Sequence, residues 1–211
     1  RSSPGCSSKR RVAGAALFVQ CPGDTNRDAI PDPYFLDSAG NPTATRNPRF
    51  DPNVACMHVT GGDGFVKMAD GSDMDVFGFG NYTGQRPLQQ VVANQALKAQ
   101  APAPLVTLRQ GQEFYLTLTN VGMVKRPDLF DPHSVHWHGY PNAAPIFDGL
   151  PEPSPTPIMG ASFSYYYKAA VPGTYFYHCH VEATEHMQMG MIGNLWVHPG
   201  QNFLANGTLL G

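Results

Sequence analysis

Hydrophobic and polar residues alternate along the second half of the chain in short segments, each bounded by Gly, Pro or Asn. The alternation is clearest at residues 105–109 and 113–120, which flank a Gln-Gly-Gln turn. Because successive side chains of a strand point to opposite faces, this period of two predicts a strand, a turn and a second strand. The same criteria predict further strands at residues 134–138, 162–168, 174–178 and 192–197.

An earlier pair of segments has the same character. Residues 64–68 and 74–79 are strand-like and are separated by an Asp-Gly-Ser-Asp turn, which predicts a hairpin. Residues 89–101 fit a short helix or an extended segment equally well, because two prolines follow closely. Short strands at this spacing, without helical periods between them, predict an all-β sandwich with Greek-key connections.

The pattern divides the chain into three parts. Residues 1–60 are rich in Pro, Asn, Asp and Arg and show little periodicity, so we expect a long irregular N-terminal extension wrapped on the domain. Residues 61–199 form the predicted domain, and residues 200–211 form a C-terminal tail. The 20 prolines and 22 glycines among 211 residues agree with short strands joined by irregular loops.

Charge and hydropathy exclude two classes of partner. The chain has 14 Lys and Arg against 16 Asp and Glu, so it lacks the broad basic field that binds a phosphate backbone. Nucleic acid is therefore not an expected partner. The best apolar run, residues 12–19, is far shorter than the ~20 residues that span a bilayer, so we expect no membrane span.

Oxygen-bearing side chains recur at alternate positions near the N-terminus, at Asp24, Asn26, Asp28 and Asp32. This spacing is typical of calcium loops and allows a calcium site. The turn glycine and the bidentate glutamate of an EF-hand are missing, and a solvated Asp/Asn turn explains the same residues. We favour the turn.

The four cysteines have two expected uses. Cys179 lies between two histidines, which indicates a metal ligand. The remaining three, Cys6, Cys21 and Cys56, are an odd number, so in an oxidising compartment two would pair and one would be free or linked to another chain. The sequence does not select the pair.

Six of the eight histidines fall into two short stretches, His133-Ser-Val-His136-Trp-His138 and His178-Cys-His180 followed by His186. In a strand, His178 and His180 point to one face and Cys179 to the other. A thiolate, two imidazoles and a weak thioether are the ligands of a blue copper site. We therefore predict a type 1 copper ligated by His133, Cys179, His186 and Met191.

The opposite face presents four histidines, His136, His138, His178 and His180. An all-imidazole environment suits copper, zinc or iron. Histidines at alternate positions on a solvated strand would give the same pattern, but two such pairs around a cysteine favour metal. The neighbouring Met187 and Met189 fit core packing, and the isolated His58 and His198 fit ordinary packing as well.

These residues resemble the copper-binding motifs of the multicopper oxidase family, which includes laccases. The family motif His-Pro-x-His-x-His-Gly is similar to residues 132–139, with the proline placed before the first histidine. The second motif, His-Cys-His followed by His and Gly-Met, is similar to residues 178–180, His186 and residues 190–191. The resemblance covers residues 105–199 and implies a cupredoxin-like domain. The Cys179–His186 spacing is two residues longer than in most laccases and resembles two-domain members.

The resemblance implies that the four-histidine face belongs to a trinuclear cluster of type 2 and type 3 copper, where dioxygen is reduced to water. Electrons from a small reductant, a phenol or a metal ion, would enter at the type 1 copper and pass through Cys179 to its histidine neighbours. Asp148 resembles the acid that relatives place near the cluster. Glu182 and Glu185 lie where others carry a second proton-donating acid.

A trinuclear cluster uses eight histidines, and one chain offers four. A second copy related by a two-fold axis would supply the same four again, so the resemblance implies a homo-oligomer. A second cupredoxin domain on another polypeptide is the other source. The alternative functions are a type 1 copper electron carrier and a copper nitrite reductase. Copper loading and the spare cysteines favour an extracytoplasmic location, either periplasmic or secreted.

Overall fold

A computed structural model of the chain describes residues 19–86, 88–141 and 144–208. Cys6 and the first part of the predicted extension lie outside these ranges. The described chain folds into a β-sandwich of two four-stranded sheets with a small two-stranded sheet beside them. The fold class predicted from the alternating pattern is confirmed.

The first sheet consists of Val54–Lys67 (β3), Asp73–Asn81 (β4), Glu113–Gly122 (β6) and Ser162–Lys168 (β8). Its strands lie side by side in the order β4-β3-β6-β8. β3 and β4 pair antiparallel as the predicted hairpin, whereas β3 and β6 pair parallel. A parallel pair needs a long connection, and residues 68–112, which include β4, join β3 to β6.

The second sheet consists of Val106–Arg109 (β5), His136–His138 (β7), Gly173–His178 (β9) and Ile192–His198 (β10). Its strands lie side by side in the order β5-β10-β9-β7. β5 and β6 follow each other across a tight turn but belong to different sheets, so the predicted strand–turn–strand unit joins the two layers and is not a hairpin. β7 lies at the edge of its sheet and pairs with β9.

The core lies between the two sheets because each strand turns its apolar positions to the same side. In β10, Leu195 and Val197 are buried while Trp196 is partly exposed, as an alternating strand requires. Both sheets contribute to one buried cluster that includes Leu116, Leu118, Tyr165, Trp137 and Tyr177. Cys179 and Met191 are members of this cluster, which places the predicted thiolate site inside the core.

A second buried cluster beside the first sheet combines residues that precede β3 with residues of the segment after β4. Val19, Ala29 and Tyr82 belong to it, and a disulfide joins Cys21 to Cys56 beside it. Two short strands, Tyr34–Leu36 (β1) and Pro42–Arg46 (β2), form the small sheet. β3 begins at Val54, so the first sheet takes in residues that the sequence assigned to the extension, because they pair with β6.

Helices are short and few in the described chain. Val91–Gln95 (α1) and the 3-10 turn Leu88–Gln90 occupy only the start of the segment for which a helix or an extended lead-in was predicted. Ala183–Met189 (α2) was not predicted and replaces a loop after Cys179. Further 3-10 turns span Pro145–Phe147 and Gly200–Phe203, the latter in the predicted tail. No described helix has the length and apolar character to cross a membrane.

Candidate metal centres

Two neighbouring strands of the second sheet bring the histidine stretches together. β7 and β9 pair so that His136 lies opposite His178, and Trp137 lies opposite Tyr177. Residues directly opposite each other share a face. His136 and His178 therefore face one side of the sheet, whereas Trp137 and Tyr177 pack into the core. This register is consistent with the prediction that two metal sites lie on opposite faces of the sheet.

The core side holds a group formed by His133, Cys179 and His186, each with no exposed surface. The Nδ1 atom of His186 lies 3.3 Å from Cys179 Sγ, and that of His133 lies 4.0 Å from it. Metal–nitrogen and metal–sulfur bonds of about 2.0–2.3 Å leave neighbouring ligand atoms about 3–4 Å apart. The three side chains therefore fit a single ion bound by one thiolate and two imidazoles.

The protonation of this group also suits a cation. Burial raises the pKa of the Cys179 thiol to about 11. Burial, helped by the nearby His186, lowers the pKa of His133 to about 3. The imidazole is therefore neutral and offers a lone pair, and the thiol holds its proton until a positive ion favours the thiolate.

Met191 is the fourth predicted type 1 ligand, and backbone hydrogen bonds hold it near Cys179 and His186. It is fully buried, its N–H donates to the carbonyl of His186, and its own carbonyl accepts from the N–H of Cys179. This places its side chain in the same part of the core as the thiol. Met189 packs against the core cluster, in agreement with the packing role expected for it.

Residues of the first sheet pack against His133 and His186. A Cβ atom on Gly61 of β3 would lie 2.8 Å from the Cδ2 atom of His133, closer than side chains pack, so glycine leaves room for this imidazole. Phe77 of β4 meets His186 edge-on, with 5.8 Å between ring centroids. The strand pair β3–β4 thus contributes to the site, although the sequence predicted no site residue in these strands.

Ser134 joins the two histidine stretches and was missed by the sequence argument. Its N–H donates to Cys179 Sγ at 3.4 Å, and its Oγ accepts from the N–H of His180 at 3.0 Å. The side chain is fully buried. The only indication of its role in the sequence is its position between His133 and His136, and a serine at such a position does not by itself indicate a contact with a metal ligand.

The other face of the sheet gathers the remaining histidines. His136, His138 and His178 place one ring nitrogen each within 4.8 Å of one another. His180 joins them, with its ring centroid 5.1 Å from that of His136. His178 is buried, His136 and His180 are partly buried and His138 is exposed, so the group opens to the protein surface.

Backbone carbonyls orient two of these rings. Nδ1 of His136 lies 2.6 Å from the carbonyl oxygen of Asp148, and Nδ1 of His178 lies 2.8 Å from that of Cys179. Because a carbonyl only accepts, each Nδ1 carries the proton and each Nε2 keeps its lone pair. Burial lowers the pKa of His178 to about 4, so its ring is neutral. Both rings are therefore suited to bind a metal through Nε2.

The three predicted acids occupy different places. An Asp148 carboxylate oxygen lies 3.4 Å from His136 Nδ1, beside the histidine group, as predicted. Glu182 instead joins Asp131 and His186 in a separate group on the far side of the thiol. Glu185 is exposed on the same helix, α2. Asp131 was missed because it lies outside both motifs, two residues before His133.

The oxygen-rich loop near the N-terminus uses its side chains to hold its own backbone. Asp24 accepts from the N–H groups of Arg27 and Ala29, and Asp28 accepts from that of Ile30. Asp32 accepts from Thr25. These contacts are those of an Asp/Asn turn, the interpretation that the sequence favoured. A calcium site at Asp24, Asn26, Asp28 and Asp32 stays a prediction.

Comparison with known proteins adds a family match. A family model described as multicopper oxidase matches residues 82–202, a range that contains both histidine groups and Cys179. The multicopper oxidase MCE of Talaromyces pinophilus is 34% identical over 108 residues, which cover 50% of this chain and 16% of that protein. Laccase-1 of Emericella nidulans is 39% identical over 66 residues, which cover 30% of this chain and 10% of that protein.

A solved structure agrees with this match. The blue copper oxidase of Nitrosomonas europaea is similar with a TM-score of 0.52 and 29% identity, over 69% of this chain and 39% of that chain. The described chain therefore shares its sandwich with proteins of that kind. It spans less than a fifth of the length of the two relatives named above, so the similarity concerns one part of each.

Proposed function

The chain belongs to the multicopper oxidase family, and from this premise we propose that it oxidises a small reductant one electron at a time and reduces dioxygen to water. The observation that carries the proposal is the position of Cys179. It faces two buried imidazoles in the core, while its neighbours His178 and His180 face a second histidine group. One tripeptide thus connects two candidate copper sites.

The proposed type 1 site consists of His133, Cys179, His186 and Met191. Copper, when bound, would supply a one-electron couple at this site and the binding and reduction of dioxygen at the histidine group. The protein holds the ligands ready in a dry core, since all four side chains have no exposed surface. The Ser134 N–H donates to the Cys179 sulfur, and the Cys179 N–H donates to the Met191 carbonyl, so both bonds hold the thiol in place. A prearranged site of this kind reduces the rearrangement that accompanies electron transfer.

The proposed trinuclear ligands are His136, His138, His178 and His180. Because one chain supplies four of the eight imidazoles that such a cluster uses, we propose that a second copy supplies the others across a two-fold axis. The exposure of His138 and the position of β7 at the sheet edge support this, because they leave the group open on one side. A second cupredoxin domain on another polypeptide would meet the same requirement.

Dioxygen reduction consumes protons, and Asp148 is the proposed donor. Its carboxylate lies beside His136 and is partly exposed, so it can exchange protons with solvent. Its backbone carbonyl fixes the same ring, which combines positioning with proton supply. Glu182 is the N-cap of α2 and Glu185 lies in its first turn, and the role predicted for them as proton donors stays a prediction.

We place the protein outside the cytoplasm, in the periplasm or as a secreted protein. The disulfide between Cys21 and Cys56 supports this location, because such bonds persist in oxidising compartments.

The proposal is tested by copper content, absorption and oxygen uptake of the purified, copper-loaded protein. We expect one type 1 copper in each chain, three further coppers shared by each pair, a near-ultraviolet band from coupled copper, and oxygen consumption with a phenolic reductant. A Cys179→Ser variant removes the thiolate and should lose the blue band while keeping the near-ultraviolet band. One copper per chain without oxygen uptake would instead identify an electron carrier.

A further inference from the structure

A cavity of about 1060 Å³ opens on the outer side of the first sheet. Tyr115 of β6 lines it, and the neighbouring Phe114 and Leu116 both pack into the core, so the tyrosine side chain points to the opposite face of the strand. Cys21 lines it as well and is joined by the disulfide to Cys56, which lies beside Tyr115 on β3. The first sheet therefore lies between this cavity and the core that holds the thiol.

Three arginines from separate segments of the chain line this cavity, namely Arg27, Arg49 and Arg86. The backbone of Arg49 is fixed, because its N–H donates to buried Asn47, whose amide donates to two carbonyls of the segment before β1. A Cβ atom on Gly40 would lie 3.2 Å from Nη2 of Arg86, so this arginine reaches from the segment after β4 to the turn between β1 and β2. The fold thus gathers positive charge at one cavity.

The acidic residues at the cavity do not neutralise these arginines. Asp24 accepts from three backbone N–H groups of its own turn, and Asp37 accepts from two. Among the described residues, Arg49 and Arg86 make no ion pair. The two guanidinium groups are therefore available to bind an external anion.

The lining narrows the chemistry of that anion. A guanidinium group binds a carboxylate through two parallel hydrogen bonds and also stacks on aromatic rings. Phe35 and Tyr115 supply aromatic faces in the same cavity. Its volume lies at the upper end of the ~300–1,000 Å³ that is usual for small-molecule sites. With 16 acidic against 14 basic residues, the chain lacks the charge to hold a long polyanion.

We propose that this cavity binds an aromatic compound that carries two or more carboxylate groups. Arg49 and Arg86 bind the carboxylates, and Phe35 and Tyr115 contact the ring. The site goes beyond the proposed oxidase function, because it shares no residue with either candidate copper site and needs neither copper nor turnover.

Isothermal titration calorimetry with trimesate, the tricarboxylate of benzene, measures this binding on the copper-loaded full chain. We expect saturable binding to wild type. Arg49→Gln and Arg86→Gln should each weaken it at least about tenfold, as the loss of a charge-assisted hydrogen bond does. Arg46→Gln is the matched control, because it removes the same charge from an exposed position on β2 outside the cavity and should bind as wild type does.

Two further measurements keep the result independent of folding and of copper. Both arginines are exposed, so their variants should unfold in urea at the same midpoint as wild type. Phe35→Leu should weaken trimesate binding about threefold and leave the binding of citrate, which has three carboxylates and no ring, unchanged. Saturation with trimesate should leave the blue band unchanged, because the first sheet separates the cavity from the thiol.

The inference is overturned by the absence of trimesate binding in wild type. Equal affinity in the Arg49 and Arg86 variants, or an equal loss in Arg46→Gln, would also overturn it, because the binding would then not depend on this cavity. A shift of the blue band on binding would place the carboxylates at copper instead.

Discussion

At the scale of single residues, Ser134 connects the two candidate metal sites. Its N–H donates to the Cys179 sulfur, and its hydroxyl accepts from the N–H of His180. A hydrogen bond to a ligand sulfur withdraws electron density from it, which weakens its donation to the metal and favours the reduced ion. We therefore expect the Ser134 N–H to raise the reduction potential of the proposed type 1 copper.

Replacing Ser134 with proline tests this effect, because proline has no N–H. If the lost hydrogen bond is worth about 1 kcal/mol, the reduction potential of the type 1 copper should fall by about 40 mV. Spectroelectrochemical titration of the blue band measures it. Ser134→Ala is the matched control, since it keeps the N–H and removes only the hydroxyl. An unchanged potential in the proline variant, or an equal fall in the alanine variant, would disprove the role of the N–H.

His58 is a buried residue that makes the stability of the fold depend on pH. Its Nε2 lies 2.7 Å from the Thr119 hydroxyl, its Nδ1 has no partner within the described chain, and burial lowers its pKa to about 4. The unfolded chain binds this proton near pH 6.5 and the folded chain does not. Folding is therefore favoured above pH 6.5 and loses free energy as the pH falls towards 4.

The pH dependence of unfolding by urea measures this contribution. Between pH 6.5 and 4, one group with this shift should lower the free energy of unfolding by up to about 3 kcal/mol. His58→Gln cannot take up the proton and should show a shallower decline, although its stability at pH 7 should be lower because packing is lost. Equal slopes for the variant and wild type would show that His58 does not titrate in this way.

The residue scale also shows how far the sequence could predict the site. His133, Cys179 and His186 were predicted from residue type and spacing, and the structure places their ligand atoms together. Asp131 and Ser134 were not predicted. Ser134 contacts the Cys179 sulfur through its backbone N–H, and Asp131 contacts His186, which lies on a different element. Neither kind of contact leaves a pattern in the residue types along the chain.

At the scale of elements, the alternating pattern predicted most strands of the second half of the chain. β8 spans the predicted residues, and β9 and β10 each extend one residue further. The helix α2 was missed because the segment was treated as a loop between ligands. The assignment of β5 and β6 to different sheets was also not predicted, since a period of two specifies which face is buried but not which strand is the neighbour.

The disulfide is an element-scale constraint that the sequence left open. Cys21 and Cys56 tie the irregular residues before β3 to the first sheet, and 35 positions separate them in the chain. Closing a loop of that length lowers the conformational entropy of the unfolded chain and so raises its free energy by about 4 kcal/mol. The double variant Cys21→Ala/Cys56→Ala should therefore unfold in urea with a free energy lower by about this amount. A loss below about 1 kcal/mol would show that packing of the second cluster alone holds this segment.

At the scale of the whole molecule, the proposed trinuclear cluster requires more than one chain. The four proposed type 1 ligands are all buried, whereas the four-histidine face is open at His138 and at the edge strand β7. We therefore expect the proposed type 1 site, which is closed, to bind copper even in the isolated chain. The four-histidine face should hold its full complement only when another copy covers it.

Native mass spectrometry of the copper-loaded protein tests the proposed intersubunit cluster, because it counts chains and metal ions in one particle. We expect an even number of chains, with one copper in each chain and three more for every pair. A His138→Ala variant should keep the one copper in each chain and lose shared copper. A particle with a single chain that carries the full set of coppers and consumes oxygen would contradict the intersubunit cluster.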